Sequence, residues 1–226
     1  MKAFRRRALR LLASNGRVSW SQFGEDLLMK AFLPEAVGTY VEIGAGHPTH
    51  LSNSFFFYQE GWRGLLVEPN PALIELLHKH RDRDAVLGAL IGTSKASRSY
   101  YQFESWPLST TDVKRVLELR DQGVAPISLT SLPVRSLASL ELAASPLEPA
   151  FLSIDVEGAD LDVLTSNDWT AYRPRVICVE ERDAATSDTT GVASLLSAQG
   201  YQFVSRAIVS SIYVHEDYLR VGSIPG

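Results

Sequence analysis

A single cysteine, Cys178, stands among 226 residues. No internal disulfide can form, and a reducing, cytoplasmic setting is the expectation. No apolar run is long enough to span a bilayer. There is no basic surplus: 22 Lys plus Arg face 26 Asp plus Glu, for a net charge of −4. That balance argues against a chain that coats nucleic acid. The phosphate-binding string G-K-[ST] is absent. Lysines are few, and none follows a tyrosine by four residues, so the Tyr-Lys pair of a short-chain dehydrogenase is missing. The Asn-Pro-Pro-aromatic signature of amino-nucleobase methyltransferases is missing too, since Asn70-Pro71 runs on into Ala72.

What is present is an ordinary globular composition, 45% apolar and 21% charged, which is enough for one sizeable core. We expect one domain over residues 21–220, preceded by a basic helix or arm over residues 1–20. Arg5, Arg6, Arg7 and Arg10 resemble the charged start of an export signal, but the apolar stretch behind them is too short for one. Phe4, Ala8, Leu11 and Leu12 are spaced for one helix face. The final VGSIPG reads as a tail.

Strand-like runs alternate with helical ones. Strands are expected over Gly38–Gly44, Gly64–Glu68, Asp84–Ala89, Ala150–Asp155 and Val176–Glu180. Helices are expected over Ala72–His80, Thr111–Gln122 and Gly191–Gln199. Tyr201–Ser205 and Ser211–Val214 read as a closing antiparallel couple. Such alternation predicts βαβ units, a mostly parallel sheet and helices on both faces. Gly92–Pro149 breaks the rhythm and reads as an insertion between strands three and four, on the acceptor side of the site, with an extra strand or two.

The first chemically loaded segment is Val41-Glu42-Ile43-Gly44-Ala45-Gly46, a strand running into a glycine turn. Glycines let the backbone turn tightly and a ligand approach closely. Glu68, with Pro69 behind it, ends the next strand 22 residues after Gly46. A carboxylate there accepts hydrogen bonds from both hydroxyls of a ribose. Loop and acid together indicate a nucleoside cofactor. A dinucleotide loop needs a third glycine or alanine, and Thr49 stands in its place. Glu42 beside the loop would repel a pyrophosphate. It suits a cofactor with an amino group or a cationic sulfur, and S-adenosylmethionine carries both and no phosphate.

In order along the chain, Ser21-Gln22-Phe23-Gly24-Glu25-Asp26, VEIGAGHP, Ser52-Asn53-Ser54, GWRGLLVEPNP and Ile154-Asp155-Val156-Glu157-Gly158 resemble the FkbM family of S-adenosylmethionine-dependent methyltransferases. The resemblance runs from about Ser21 to Glu181, and the family usually has Asp where Glu42 stands. It implies a Rossmann-like class I methyltransferase fold: a seven-stranded sheet, mostly parallel, with the last strand antiparallel. It implies O-methylation of a saccharide or another small hydroxyl-bearing natural product. By position it places Gly44, Ala45 and Gly46 against the methionine part of the cofactor, and Glu68 on the ribose. Gln22, Asn53 and Ser54 fall at the cofactor's carboxylate end, and Asp155 facing its methyl or amino group.

Methyl transfer to an alcohol requires the alcohol proton to leave, to a carboxylate or histidine or with help from a divalent metal. Candidate catalytic residues are Asp155, Glu157 and His47. Asp155, Glu180 and Glu181 are candidate ligands for Mg²⁺, which prefers such hard oxygens. Some sugar O-methyltransferases share that arrangement. The same carboxylates also read as a loop anchor and solvated strand ends. His47 and His50 also read as polar turn residues, and Cys178 as buried packing. Tyr100, Tyr101, Phe103 and Trp106 read either as an aromatic wall for the acceptor or as a small satellite core. Two further readings share the glycine loop: a nicotinamide-dependent oxidoreductase, and a cofactor-binding module without catalysis. The expected partner is a small-molecule or saccharide acceptor. The oligomeric state stays open, a homodimer included.

Overall fold

The computed structural model describes residues 18–140, 149–181 and 191–220. The basic helix or arm expected at the start, the closing tail and the end of the insertion fall largely or wholly outside the described residues.

Five strands line up in parallel: β1 (Thr39–Ile43), β2 (Arg63–Val67), β3 (Ala85–Leu87), β7 (Phe151–Ile154) and β8 (Val176–Glu180). β9 (Tyr201–Ala207) and β10 (Ser210–His215) complete the sheet in the order β3-β2-β1-β7-β8-β10-β9. β10, last in the chain, pairs antiparallel with both β8 and β9. This is the seven-stranded architecture expected from the sequence.

β1, β7 and β8 are buried along their whole length, as strands covered on both faces must be. Alternation sends their side chains into two cores. Val41, Ile43, Leu152, Ile154, Ile177 and Val179 fill one face. Tyr40, Phe151, Val176 and Cys178 fill the other, with Trp62 and Met29. Cys178 is a packing residue, as its apolar neighbours require.

The helices are α1 (Glu25–Lys30), α2 (Phe55–Gln59), α3 (Pro71–His80), α4 (Val113–Asp121), α5 (Asp160–Thr165), α6 (Val192–Ala198) and α7 (Glu216–Arg220). Asn70 caps α3 by accepting from the Ala72 N–H, with Pro71 in the first turn and basic residues in the last. Asp112 caps α4 in the same way through Lys114. α1, α2 and α5 are five or six residues long, too short to show a helical period, and the sequence reading did not pick them out.

Within the insertion, β5 (Ser97–Gln102) and β6 (Ser128–Arg135) pair antiparallel. A short strand before it, β4 (Leu90–Ile91), joins the other side of β6 in parallel. The result is a separate three-stranded sheet.

Register decides where the chemistry lies. Ile43 pairs with Val67 on one side and Ile154 on the other, and Ile154 pairs with Val179. The next residues, Gly44, Glu68, Asp155 and Glu180, therefore emerge side by side at the carboxyl edge. β1 lies between β2 and β7, where the connections leave in opposite directions. Open α/β sheets bind ligands at that switch point.

Candidate functional site

A cavity of about 260 Å³ opens at this edge. Eight of the predicted residues line it: Gln22, Gly44, Gly46, Asn53, Glu68, Pro69, Asp155 and Glu157.

Gly44 adopts φ +79°, and a Cβ there would sit 1.9 Å from the Asp155 carbonyl oxygen. Gly46 adopts φ +60°, and its Cβ would meet the Trp106 ring at 2.5 Å. No side chain fits either position. The Gly44 and Ala45 N–H groups both bond the Val67 carbonyl, at 2.9 and 3.1 Å, which bends the chain across the end of β2. Glu68 closes the turn from the other side. Its carboxylate accepts from the Gly46 N–H at 2.8 Å and the Asn70 N–H at 2.8 Å. Burial pushes its pKa up to about 7 against the pull of those two donors. Each oxygen holds one backbone donor and keeps a further lone pair for a ligand hydroxyl.

Several predicted residues lie elsewhere. Glu42 points to the opposite face from Val41 and Ile43 and does not line the cavity. Its carboxyl lies beneath the loop, accepting from the Asn53 N–H at 3.0 Å and the Ser54 hydroxyl at 2.5 Å. Burial pushes it up to about 7, opposed by Arg81. It braces the loop from below. Ala45 packs into the core on the same face, and Ser54 is fully buried. His47 turns away: its Nδ1 accepts from the Thr49 and His50 N–H groups at 3.3 and 3.1 Å, and burial lowers its pKa. It is a turn residue that the structure does not bring to the cavity.

The carboxylate cluster also differs from the expected set. Asp155, Glu157 and Glu180 place oxygens within 4.8 Å of one another. Glu181 is not among them; it accepts from the Tyr213 hydroxyl at 2.9 Å, although it lines the second cavity with Glu180. Glu157 takes its place. Its φ is +56°, a costly conformation for a residue with a Cβ. Asp160 supports it by accepting from the Val156 and Gly158 N–H groups at 3.2 and 3.1 Å. The Thr110 hydroxyl donates to the Glu157 carbonyl at 2.9 Å. Burial, then the nearby Glu180, push Asp160 up to about 7. A second cavity of about 510 Å³ lies alongside and shares Glu157 and Arg115 with the first.

The aromatic cluster divides. Phe103 and Tyr101 join Val116 and Leu119 in a satellite core, while Tyr100 and Trp106 face the cavity. Burial raises the Tyr100 phenol, and Glu68 adds to the shift.

Sequence reasoning missed Glu25, Arg98 and Arg115, which also line the cavity. Glu25 was legible in the Ser21–Asp26 motif, where its carboxylate accepts from the Phe23 N–H at 2.8 Å. The two arginines belong to the insertion, which carries no readable motif.

The donor set fits S-adenosylmethionine. Bare backbone at Gly44 and Gly46 and the carboxylate of Glu68 suit a nucleoside. Pro69, Leu73 and Leu90 offer an apolar slot for its base. Glu25, Glu68, Asp155 and Glu157 line the wall together with Arg98 and Arg115.

The fold is similar to that of several solved methyltransferases. A TehB-like SAM-dependent methyltransferase from Corynebacterium glutamicum is 10% identical over 95% of this chain and 97% of its own, with a TM-score of 0.46. An O-methyltransferase from Bacillus cereus in complex with SAH is 11% identical over 93% and 89%, with a TM-score of 0.43. A precorrin-6y C5,15-methyltransferase from Geobacter metallireducens is 14% identical over 84% and 86%, with a TM-score of 0.43. Among curated proteins, none matches this chain. Among the described residues, no helix is long and apolar enough to cross a membrane. The family model described as the methyltransferase FkbM domain matches residues 42–203, most of the chain, and the protein belongs to that family of S-adenosylmethionine-dependent methyltransferases.

Proposed function

We propose that the protein is an O-methyltransferase that methylates a hydroxyl of a saccharide or another small, hydroxyl-rich acceptor. The observation that carries this reading is the placement of Glu157. It lines both the first cavity and the one beside it, and it clusters with Asp155 and Glu180. A carboxylate where two substrates meet is placed to take the proton that an alcohol must lose.

S-adenosylmethionine supplies an electrophilic methyl group on a sulfonium. Glu68 would hold the ribose hydroxyls, Gly44 and Gly46 would admit the ligand against bare backbone, and Asn53 and Gln22 would stand at the amino-acid end. Asp155 follows β7 directly beside Gly44 and faces the reacting centre. Glu157 would accept the proton that the acceptor's hydroxyl loses, the C–S bond of the sulfonium breaking as the C–O bond forms. Tyr100 and Trp106 cover the site and exclude water, and alignment of the two reactants supplies much of the rate. Asp155, Glu157 and Glu180 are also the oxygen donors that Mg²⁺ prefers. Loss of turnover on chelation, restored by Mg²⁺, supports that role, and full turnover after exhaustive chelation removes it.

Calorimetry with S-adenosylhomocysteine tests the cofactor half of this reading, with NADH as the control. Mass spectrometry of hydroxylated acceptors incubated with S-adenosylmethionine tests the rest. A mass gain on nitrogen or carbon in place of oxygen overturns the assignment.

A further inference from the structure

Arg81 is a charged side chain shut inside the protein, 1% exposed. It follows the last residue of α3. A buried guanidinium is tolerated only when its donors are satisfied. Nε donates to Asp84 Oδ2 at 2.9 Å. Nη2 donates to the Tyr40 hydroxyl at 2.8 Å and to Ser54 Oγ at 2.7 Å. Nη1 donates to the Pro48 carbonyl at 2.8 Å, with Ser52 Oγ at 3.5 Å.

These partners form two groups. Tyr40 and Asp84 belong to the sheet side: the Tyr40 hydroxyl donates to Asp84, which also accepts from the Gly64 N–H at 2.7 Å. Pro48, Ser52 and Ser54 belong to the loop that follows the glycine turn. Ser54 passes the contact on, because its hydroxyl donates to Glu42, and Glu42 also accepts from the Asn53 N–H. Asn53 lines the cavity. Ser54 precedes α2 yet makes no side-chain capping bond to it. Its hydroxyl is committed to Arg81 and Glu42 instead. The same α3 that ends at Arg81 starts beside Glu68, whose carboxylate accepts from the Asn70 N–H. One helix thus joins the ribose acid to the loop at the far end of the cofactor site.

We propose that Arg81 is a positioning residue for cofactor binding: it clamps residues 48–54 to the sheet and so fixes Asn53 and the glycine turn around the cofactor's amino-acid end. This deepens the proposed cofactor reading and rests on it. A lysine does not replace it, because a point charge with three donors cannot reproduce the planar fork that spans both partner groups.

Cutting the clamp on each side separates positioning from plain stability. Ser54→Ala removes a loop-side partner and leaves Asp84 and Tyr40 in place. Tyr40→Phe removes a sheet-side partner and leaves every loop contact. Arg81→Lys keeps the charge and loses the fork. Calorimetry with S-adenosylhomocysteine is run on each variant beside thermal melts. The expected result is a loss of affinity of about tenfold or more for Ser54→Ala and Arg81→Lys, and a change within twofold for Tyr40→Phe, although all three lower Tm. With an acceptor in hand, KM for S-adenosylmethionine rises while kcat at saturation stays within threefold. Wild-type affinity in Ser54→Ala, or affinity losses that simply track Tm across the series, overturns the proposal. If Arg81→Lys fails to fold, the contrast between Ser54→Ala and Tyr40→Phe decides. Wild-type protein that does not bind S-adenosylhomocysteine overturns the cofactor reading itself, and this proposal with it.

Discussion

The two sheets treat their residues in opposite ways. In the seven-stranded sheet, β1, β7 and β8 are buried end to end, and the buried carboxylates beside it, Glu42, Glu68 and Asp160, each accept from backbone N–H groups. In the three-stranded sheet, most of β6 is exposed, and Val113, Leu117, Ile127 and Leu129 stand open to solvent around it. The first region is built to hold one shape, because a buried polar group without its partner is costly. The second, with the turn and α4 that lie between β5 and β6, places Tyr100, Trp106, Arg98 and Arg115 along a cavity wall, with Arg98 paired to Asp162 at 2.8 Å. Under the proposed function, the large sheet holds the cofactor's ribose and amino-acid end, while the segment of the small sheet completes the same cavity wall and is proposed to select the acceptor.

The hardest test of that division is Glu157, which lies on the border. We expect Glu157→Gln to lower turnover by roughly 10²–10⁴ while S-adenosylhomocysteine affinity stays within threefold in calorimetry. An equal loss of both would move Glu157 to the cofactor side. Gly44→Ala attacks the large sheet alone. With φ +79° and the Asp155 carbonyl in the way, it should destabilise by about 3 kcal/mol, lower Tm by roughly 6–12 °C and abolish measurable cofactor binding. A normal melt would show that the loop relaxes around a side chain.

Glu68→Gln should weaken S-adenosylhomocysteine by about 10–100-fold, the loss expected for hydrogen bonds to a charged group. Since Glu68 titrates near 7, wild-type affinity should fall as pH drops through about 7, where the carboxylate gains a proton and loses an acceptor. The variant should flatten that slope. Trp106→Ala attacks the small sheet's contribution. It should raise acceptor KM about fivefold, in line with one lost aromatic contact, and weaken cofactor affinity by a smaller factor, since the ring also packs over Gly46.

Stability runs in the opposite pH direction to cofactor affinity. Glu42, Glu68 and Asp160 all have pKa values raised to about 7, so the folded state holds these protons more tightly than the unfolded chain. Their contribution to stability is full below about pH 4 and is lost as pH rises through about 7. The unligated protein should show that decline in Tm, and Asp160→Asn should reduce it.

The large-sheet wall of the cavity was legible because its residues sit in short motifs tied to strand ends. Gly44, Gly46, Glu68 and Asp155 each end or follow a strand, and parallel pairing brings such ends together. Glu42 and Ser54 belong to the same motifs yet do not line the cavity, for one reason: a motif gives the residue but not the side of the sheet its side chain takes. Glu180 and Glu181 show this most simply. They are neighbours in sequence, yet one joins Asp155 and Glu157 and the other bonds Tyr213. Arg81, Arg98 and Arg115 had no motif, since an arginine gains its meaning from partners distant in the chain.

The order of apolar runs, the glycine turn and the acid on the next strand came from sequence alone, because strand period, glycine conformation and ribose chemistry are local properties. Which carboxylates meet, which lie under the loop, and which helix ties the loop down came from tertiary structure. Those depend on register and face, which are set when separate strands pair and their side chains choose between two cores.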